Sequence, residues 1–226
     1  MLRAALVTAA LLLAGCGAAV EVPPPADLPK LVSVPLSILA ECRAQGARVY
    51  DKCTDQRELF TAAKNLAAEQ DKVILVSYGA DWCIWCHVLD KYLQGYSGAF
   101  DYEFGAPGSD ETATATLKEK AVDKALAESQ VRALAEFTAN NFILFHLESD
   151  DAPGSDEILQ QTGAIDAFDY ALPFVFTLTE GGEFAAAMPD DVSIRRDETI
   201  DWYRGYDREK LLATLQSMHA QARAAE

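Results

Sequence analysis

The 226-residue chain has few basic residues, few cysteines and no apolar run long enough for a membrane-spanning helix. Its 35 acidic residues outnumber 19 lysines and arginines, and the formal net charge is −16 at pH 7. Such a surface repels phosphates, which argues against nucleic acid as a partner. Five cysteines are too few to replace a hydrophobic core, and 50% of the residues are hydrophobic and can fill one. A disulfide-rich miniprotein and a disordered chain are therefore excluded, and the length predicts one domain with elaborations.

The N-terminal apolar run, residues 4–14, has about half the length that spans a bilayer, so it predicts a secretory signal at residues 1–15. The sequence Leu-Ala-Gly-Cys that ends at Cys16 resembles the bacterial lipobox. The resemblance implies cleavage before Cys16, lipidation of Cys16 and a lipoprotein that faces the periplasm. Because Gly17 rather than Asp follows, it also implies the outer membrane. The alternative is an ordinary signal peptide in which Cys16 falls at this place by chance.

Residues 16–35 contain a run of prolines, which lack a backbone donor and fix φ, so we expect an extended tether rather than part of a core. Removing the signal also removes Arg3, which leaves 18 basic against 35 acidic residues and a side-chain charge of −17. A domain of this charge does not bind an anionic membrane surface electrostatically. The lipid on Cys16 is therefore expected to be the sole membrane attachment.

Two of the four remaining cysteines, Cys42 and Cys53, lie in a predicted N-terminal helical extension at residues 36–70. Export places them in a compartment where disulfides persist. We interpret them as a structural disulfide that closes a loop of about a dozen residues and contributes about 2–3 kcal/mol. A second redox pair that passes electrons to the first is the alternative.

Hydrophobic periodicity predicts an alternation of strands and helices in the rest of the chain. The predicted strands are residues 73–78, 142–147, 174–178 and 183–187, and the predicted helices are residues 55–69, 83–93, 156–162 and 207–224. Residues 95–110 are predicted to form a loop, and residues 111–139 one or two added helices. The pattern describes an α/β domain with a mixed central sheet at residues 71–226, interrupted by an insertion at about residues 95–140.

The chemistry is predicted at Cys83 and Cys86, a CxxC pair placed where a buried strand turns into a helix. A thiol at a helix N-terminus faces free backbone N–H groups and the positive end of the helix dipole, so the pKa of Cys83 should lie below that of a free thiol. Cys86 lies one turn further along and can form a disulfide with Cys83. This division predicts that Cys83 attacks a substrate disulfide and that Cys86 resolves the mixed disulfide.

Residues 76–86 resemble the strand–WCxxC–helix signature of the thioredoxin superfamily, and the resemblance extends over roughly residues 72–220. It implies a thioredoxin-like fold, a cis Leu172–Pro173 bond beside the cysteines, and a Leu172 backbone that pairs with substrate as an added strand. It also implies a thiol–disulfide oxidoreductase that reduces disulfide-bonded protein substrates, takes electrons from a membrane thiol donor and needs no cofactor or metal. The surroundings of the redox pair would be formed by Asp81, Trp82, Ile84, Trp85, His87, Leu172 and Pro173.

The chain departs from the family pattern at Ser77, where many thioredoxins bury an acid that takes the proton of the resolving thiol. Asp81, Glu148 or water would have to act instead, and the sequence leaves these three open. The pair Ile84 and Trp85 places no cation or imidazole between the cysteines, which favours a reductant or a mid-potential, isomerase-like protein.

Three other interpretations remain. Residues 83–87 also satisfy CxxCH, the attachment motif for c-type haem, with His87 as axial ligand and Met188 or Met218 opposite. A metal site built on the two cysteines, His87 and His146 is less favoured, because there is no second CxxC. Finally, a thioredoxin fold can serve as a non-catalytic binding platform in envelope assembly.

Overall fold

The computed structural model describes residues 21–103, 112–117, 124–189, 192–194 and 205–225. The predicted signal at residues 1–15 and the predicted lipidation site Cys16 lie outside these residues, and both stay predictions. Within the part of the chain that is described, no helix combines the length and apolarity needed to cross a bilayer.

The described strands are β1 (Glu21–Val22), β2 (Val32–Val34), β3 (Val73–Gly79), β4 (Ser97–Glu103), β5 (Thr112–Leu117), β6 (Phe142–Glu148), β7 (Phe174–Leu178), β8 (Phe184–Ala187), β9 (Ser193–Ile194) and β10 (Gly205–Tyr206). The described helices are α1 (Ala40–Arg43), α2 (Gln56–Gln70), α3 (Ile84–Leu93), α4 (Lys124–Asn141), α5 (Ser155–Thr162) and α6 (Arg208–Ala224), with a 3-10 turn at Ala164–Ala167. The strands predicted at residues 73–78, 142–147, 174–178 and 183–187 and the helices predicted at residues 55–69, 83–93, 156–162 and 207–224 are confirmed to within one residue at their ends.

A five-stranded mixed sheet forms the centre, in the order β2-β6-β3-β7-β8. The first three strands in this order are parallel, β7 runs antiparallel to them, and β8 is antiparallel to β7. Every residue of β3, β6 and β7 is buried, because helices cover both faces of the sheet. The predicted α/β class with a mixed central sheet is therefore confirmed.

The two faces of the sheet pack against different helices. Side chains of α3, α4 and α6 form one core with alternate strand residues such as Leu75 and Leu144. Side chains of α2 and α5 form the other core with the intervening residues, where Phe60 stacks on Phe145 at 5.9 Å between ring centroids. Ser77 and His146 are register partners on neighbouring strands, so the α3 face carries two polar residues near the carboxyl ends of β3 and β6.

The central sheet and the helices that cover it include residues on the N-terminal side of residue 71, where we expect the α/β domain to begin. Residues 32–34 were expected in the tether, but they form β2, which pairs with β6 and buries Val34 to 1% exposure. α2 was expected in an extension outside the domain, but its residues Phe60, Ala63 and Ala67 cover the sheet. The α/β domain thus begins at Val32, and what lies between β2 and α2 is largely a loop with the single helical turn α1. A three-residue strand is too short to give a periodic signal.

The insertion is only partly helical. β4 and β5 form an antiparallel pair, and β1 adds to the free edge of β4. The sequence predicts a loop over the residues of β4 and the start of a helix over those of β5. The alternation of threonine and alanine over residues 112–116 has a period of two and a β-branched residue at every second position, which favours a strand over a helix. The helical prediction holds from Lys124 onward, where α4 begins.

Candidate active site

Cys83 is the N-cap residue of α3. β3 ends at Gly79, three residues turn the chain, and the extended backbone of Cys83 at φ −83° and ψ 98° leads into the helix. The Cys83 Sγ accepts the backbone N–H of Cys86 at 3.2 Å, which is the position that a cap side chain takes at a helix N-terminus. Cys83 and Cys86 are joined by a disulfide, with their Cα atoms 5.3 Å apart. In the reduced protein the same N–H and the helix dipole would stabilise a thiolate on Cys83.

The disulfide-bonded pair Cys83 and Cys86 lies in a small buried cluster that we call the CxxC cluster: Tyr50, Cys83 and Cys86, with Val49, Trp85 and Leu172 packed against them. Cys83 is 5% exposed and Cys86 1% exposed. The Leu172–Pro173 bond is cis. Leu172 packs beside the cysteines, as the resemblance implies. Two members of the cluster, Val49 and Tyr50, come from the loop before α2, a segment in which the sequence suggested no active-site residue.

Asp81 holds that loop in place. Its carboxylate accepts the backbone N–H groups of Arg48 and Val49, each at 2.9 Å, and that of Tyr50 at 3.4 Å. Successive N–H groups converging on one carboxylate form charge-assisted hydrogen bonds. Asp81, directly before the WCxxC motif, thus attaches the N-terminal loop to the candidate active site. The motif alone does not indicate this role.

Tyr50 is fully buried, and its hydroxyl lies 2.9 Å from the Ser77 Oγ, with either group able to donate. A Cβ placed on Gly79 would be 2.6 Å from the Cys86 Sγ and 2.8 Å from the Tyr50 Oη. The sulfur and the hydroxyl therefore both border the space that the missing side chain of Gly79 leaves free. Burial raises the pKa of the Tyr50 hydroxyl, although the hydrogen bond with Ser77 acts in the opposite direction. Tyr50 consequently stays protonated and can act as a donor.

His87 is 7% exposed, and its Nε2 donates to the carbonyl oxygen of Asp81 at 2.8 Å. The Asp81 Oδ1 lies 3.6 Å from the same nitrogen. Burial lowers the pKa of His87, while its contacts with Asp81 counteract this effect. For the haem interpretation, this ring nitrogen would first have to be released from Asp81.

The aromatic and aliphatic neighbours of the cysteines differ in exposure. Trp82 is 59% exposed and donates its indole N–H to Asp150. Ile84 is buried in the core that α3 shares with the sheet. Trp85 is partly buried and meets Tyr206 edge-on, with 6.2 Å between ring centroids. Of these three side chains, Trp82 alone is exposed to an incoming protein.

A buried hydrogen-bonded pair, His146 and Asp90, lies behind the CxxC cluster. The His146 Nε2 donates to the Asp90 Oδ1 at 3.1 Å, and the edge of the Tyr50 ring meets the imidazole of His146 at 5.2 Å between centroids. Burial alone would raise the pKa of Asp90, but hydrogen bonds from His146 and Gln94 hold it below its usual value. His146 is thus committed to Asp90. The one group of potential metal ligands within the described residues comprises Cys42, Asp51 and Cys53.

The sequence left Glu148 open as a proton acceptor for Cys86, but its carboxylate binds backbone amides. Its Oε2 accepts three backbone N–H groups, those of residues 150, 151 and 152, at 2.8–3.0 Å. Burial raises the pKa of Glu148, and the three hydrogen bonds partly offset this. Both carboxylates that the sequence suggested as proton acceptors, Asp81 and Glu148, are therefore occupied with backbone amides, and the polar group that borders the space beside Cys86 is the Tyr50 hydroxyl.

Cys42 and Cys53 form the predicted disulfide, with 5.9 Å between their Cα atoms. Asp51 is buried between them and accepts the N–H groups of Cys53 and Thr54 at 2.9 and 3.1 Å. Gln56 donates to the Asp51 carbonyl at 2.7 Å and accepts the N–H of Glu148 at 3.2 Å. The disulfide thus closes the loop that carries Tyr50, and Gln56 attaches the end of this loop to β6.

Comparisons with family models, with curated proteins and with solved structures found no match to this chain.

Proposed function

We propose that the protein is a thiol–disulfide oxidoreductase of the thioredoxin-like type that reduces protein disulfides. The observation that carries this proposal is the position of Cys83: its sulfur caps α3, accepts the Cys86 N–H and is bonded to Cys86. A cysteine pair at a strand-to-helix turn combines a stabilised nucleophile with a nearby resolving thiol. A purely structural disulfide has no need of the helix N-terminus.

The reaction begins with the reduced pair. The Cys83 thiolate attacks one sulfur of a substrate disulfide, and the other substrate sulfur leaves as a thiolate that takes up a proton. Cys86 then loses its proton and attacks the Cys83 Sγ, which expels the second substrate sulfur. The substrate gains two electrons and two protons, and the protein is left with the Cys83–Cys86 disulfide.

The thioredoxin-like assignment rests on three features that the resemblance led us to expect. They are the mixed central sheet, the buried strand that ends just before the CxxC motif, and the cis Leu172–Pro173 bond beside the cysteines. Leu172 would present its backbone to an extended substrate segment, which would pair with it as an added strand.

The cellular setting is part of the proposal. The predicted signal and Cys16 favour a lipoprotein that faces the periplasm, in the outer membrane, with a membrane thiol protein as electron donor. The Cys42–Cys53 disulfide agrees with an oxidising compartment, where such bonds persist.

Reduction of insulin disulfides tests the proposal. We expect the wild-type protein to catalyse the reaction with dithiothreitol as electron source, and Cys83→Ser to be inactive because the nucleophile is gone. Cys86→Ala should instead accumulate a mixed disulfide with its substrate, visible on a non-reducing gel. If wild type and Cys83→Ser are equally inert, the proposal is wrong; a Soret band in the purified protein would then support the haem interpretation.

A further inference from the structure

The Tyr50 hydroxyl stands beside the space above Gly79 that the Cys86 sulfur borders, and Ser77 is its hydrogen-bond partner at 2.9 Å. Cys86 is 1% exposed, so its thiolate would form almost out of contact with water. A buried anion without a hydrogen-bond partner is strongly disfavoured, which means that the resolution step requires a donor at this position.

From this geometry we infer that Tyr50 is a positioning residue for the second step of the proposed reaction: its hydroxyl donates a hydrogen bond to the Cys86 thiolate, and Ser77 orients that hydroxyl. The inference rests on the proposed function. The proton that Cys86 loses balances the proton that the departing substrate sulfur takes up. Tyr50 keeps its own proton throughout and therefore stabilises the thiolate without being consumed.

The N-terminal loop delivers this hydroxyl. Asp81 accepts the N–H groups of residues 48–50, and the Cys42–Cys53 disulfide closes the loop around them. The loop thereby supplies from outside the CxxC motif a group that acts on Cys86. This also accounts for Ser77 at a position where an acid would otherwise be expected, since a serine can orient a phenol without adding a charge.

Other ionisable groups surround the same space and would contribute to any pH profile. They are Arg48 in the loop before α2, Asp81 in the turn between β3 and α3, His87 and Asp90 on α3, His146 on β6, and Tyr206 on β10. None of them is altered by removal of one tyrosine hydroxyl, so a comparison of Tyr50→Phe with wild type isolates the contribution of that hydroxyl.

The test measures the two steps separately. Attack by Cys83 is followed with an aromatic disulfide reagent, and resolution is followed as release of the reagent's second thiol, from pH 6 to pH 9. In Tyr50→Phe we expect the first step to be unchanged and resolution at pH 7 to be slower by about 10-fold, the loss typical of one hydrogen bond to a charged group. The deficit should shrink as the pH rises, because the thiolate then forms without help.

Tyr78→Phe is the matched control. Tyr78 follows Ser77 on β3, but its side chain lies on the other face of the sheet, where its hydroxyl donates to the Ser149 carbonyl. This variant should resolve as wild type does. Ser77→Ala should slow resolution less than Tyr50→Phe, and the double variant should be no slower than Tyr50→Phe alone, since the two hydroxyls act as one unit.

Two outcomes separate this inference from the proposed function. If wild type forms and resolves the mixed disulfide and Tyr50→Phe does so at the same rate, the inference is wrong and the function stands. A uniform loss of both steps at every pH would also overturn the inference, because it would indicate a packing defect. If wild type forms no mixed disulfide, the proposed function itself fails.

Discussion

Gly79 determines how closely the redox pair and the N-terminal loop can approach each other. It lies at the end of β3, where any side chain would enter the space that the Cys86 sulfur and the Tyr50 hydroxyl border. The requirement for glycine here comes from the close approach of two side chains rather than from the backbone conformation. A strand that ends in glycine just before a CxxC motif can therefore indicate that something packs closely on the resolving cysteine.

Gly79→Ala should lower the free energy of unfolding by about 1–3 kcal/mol, because the added methyl group overpacks a buried site. Denaturant unfolding of the oxidised protein measures this. Gly181→Ala is the control, since a Cβ there would meet only the Thr179 Oγ1 at 3.6 Å. Equal stability of the two variants would mean that the loop can withdraw from the cysteines at little cost.

The Cys83–Cys86 disulfide could be predicted from sequence because the two cysteines are close together along the chain. Cys83 and Cys86 are separated by three positions, and the preceding strand is a continuous apolar run. Tyr50 could not be found in this way, since 27 positions separate it from Ser77 and its loop has no periodic pattern. The one available signal is the pair Val49 and Tyr50, an apolar and an aromatic residue within an otherwise polar loop between two cysteines.

At the scale of elements, prediction succeeded where the pattern was long and failed where it was short or mixed. The fully buried strands β3, β6 and β7 are largely continuous apolar runs, and helices α2 and α6, of 15 and 17 residues, have an aspartate at the N-cap. β2 has three residues, and β5 is composed mainly of threonine and alanine, residues that other contexts accommodate in helices. Their strand conformation depends on pairing with β6 and β4, which are separate segments of the chain.

The loop closed by Cys42 and Cys53 should be the part of the site most sensitive to loss of its disulfide. In Cys42→Ser/Cys53→Ser, we expect the free energy of unfolding to fall by about 2–3 kcal/mol, the effect of a cross-link across a short loop. Denaturant unfolding with the Cys83–Cys86 pair oxidised measures it.

The same variant distinguishes the two roles considered for this disulfide. A structural disulfide predicts lower stability with some residual insulin reduction, since Cys83 and Cys86 are retained. Unchanged stability together with complete loss of reduction would contradict the structural role and favour a second redox pair.

For the whole molecule, the position of β2 moves the start of the folded domain to the N-terminal side of the two cysteines of the loop. β2 is the edge strand of the central sheet, and Val34 within it is almost fully buried. The chain therefore leaves the sheet at Val34, passes through the disulfide-closed loop over the redox pair and returns to the sheet as α2. Both ends of the loop are anchored in the sheet layers.

A chain that begins at Leu36 should consequently be less stable than one that begins at Lys30, by at least about 2 kcal/mol, the contribution expected for a buried valine. Both chains lack the prolines at positions 23–25 and 29, so the comparison measures the contribution of residues 30–35, which include β2. The midpoints of thermal or denaturant unfolding provide the measurement, and identical midpoints would place the start of the domain after residue 35.

The Cys42–Cys53 disulfide is protected against thiol–disulfide exchange, because only one of its two cysteines is accessible to an incoming thiolate. Cys42 is completely buried while Cys53 is exposed, so attack from solvent must occur at Cys53 and expel Cys42 as the leaving group. The Cys42 Sγ lies 3.4 Å from the buried Asp51 carboxylate, where a second negative charge is unfavourable. The bond that closes the loop is thereby kinetically shielded from exchange, including exchange with thiols that the protein's own proposed chemistry releases beside it.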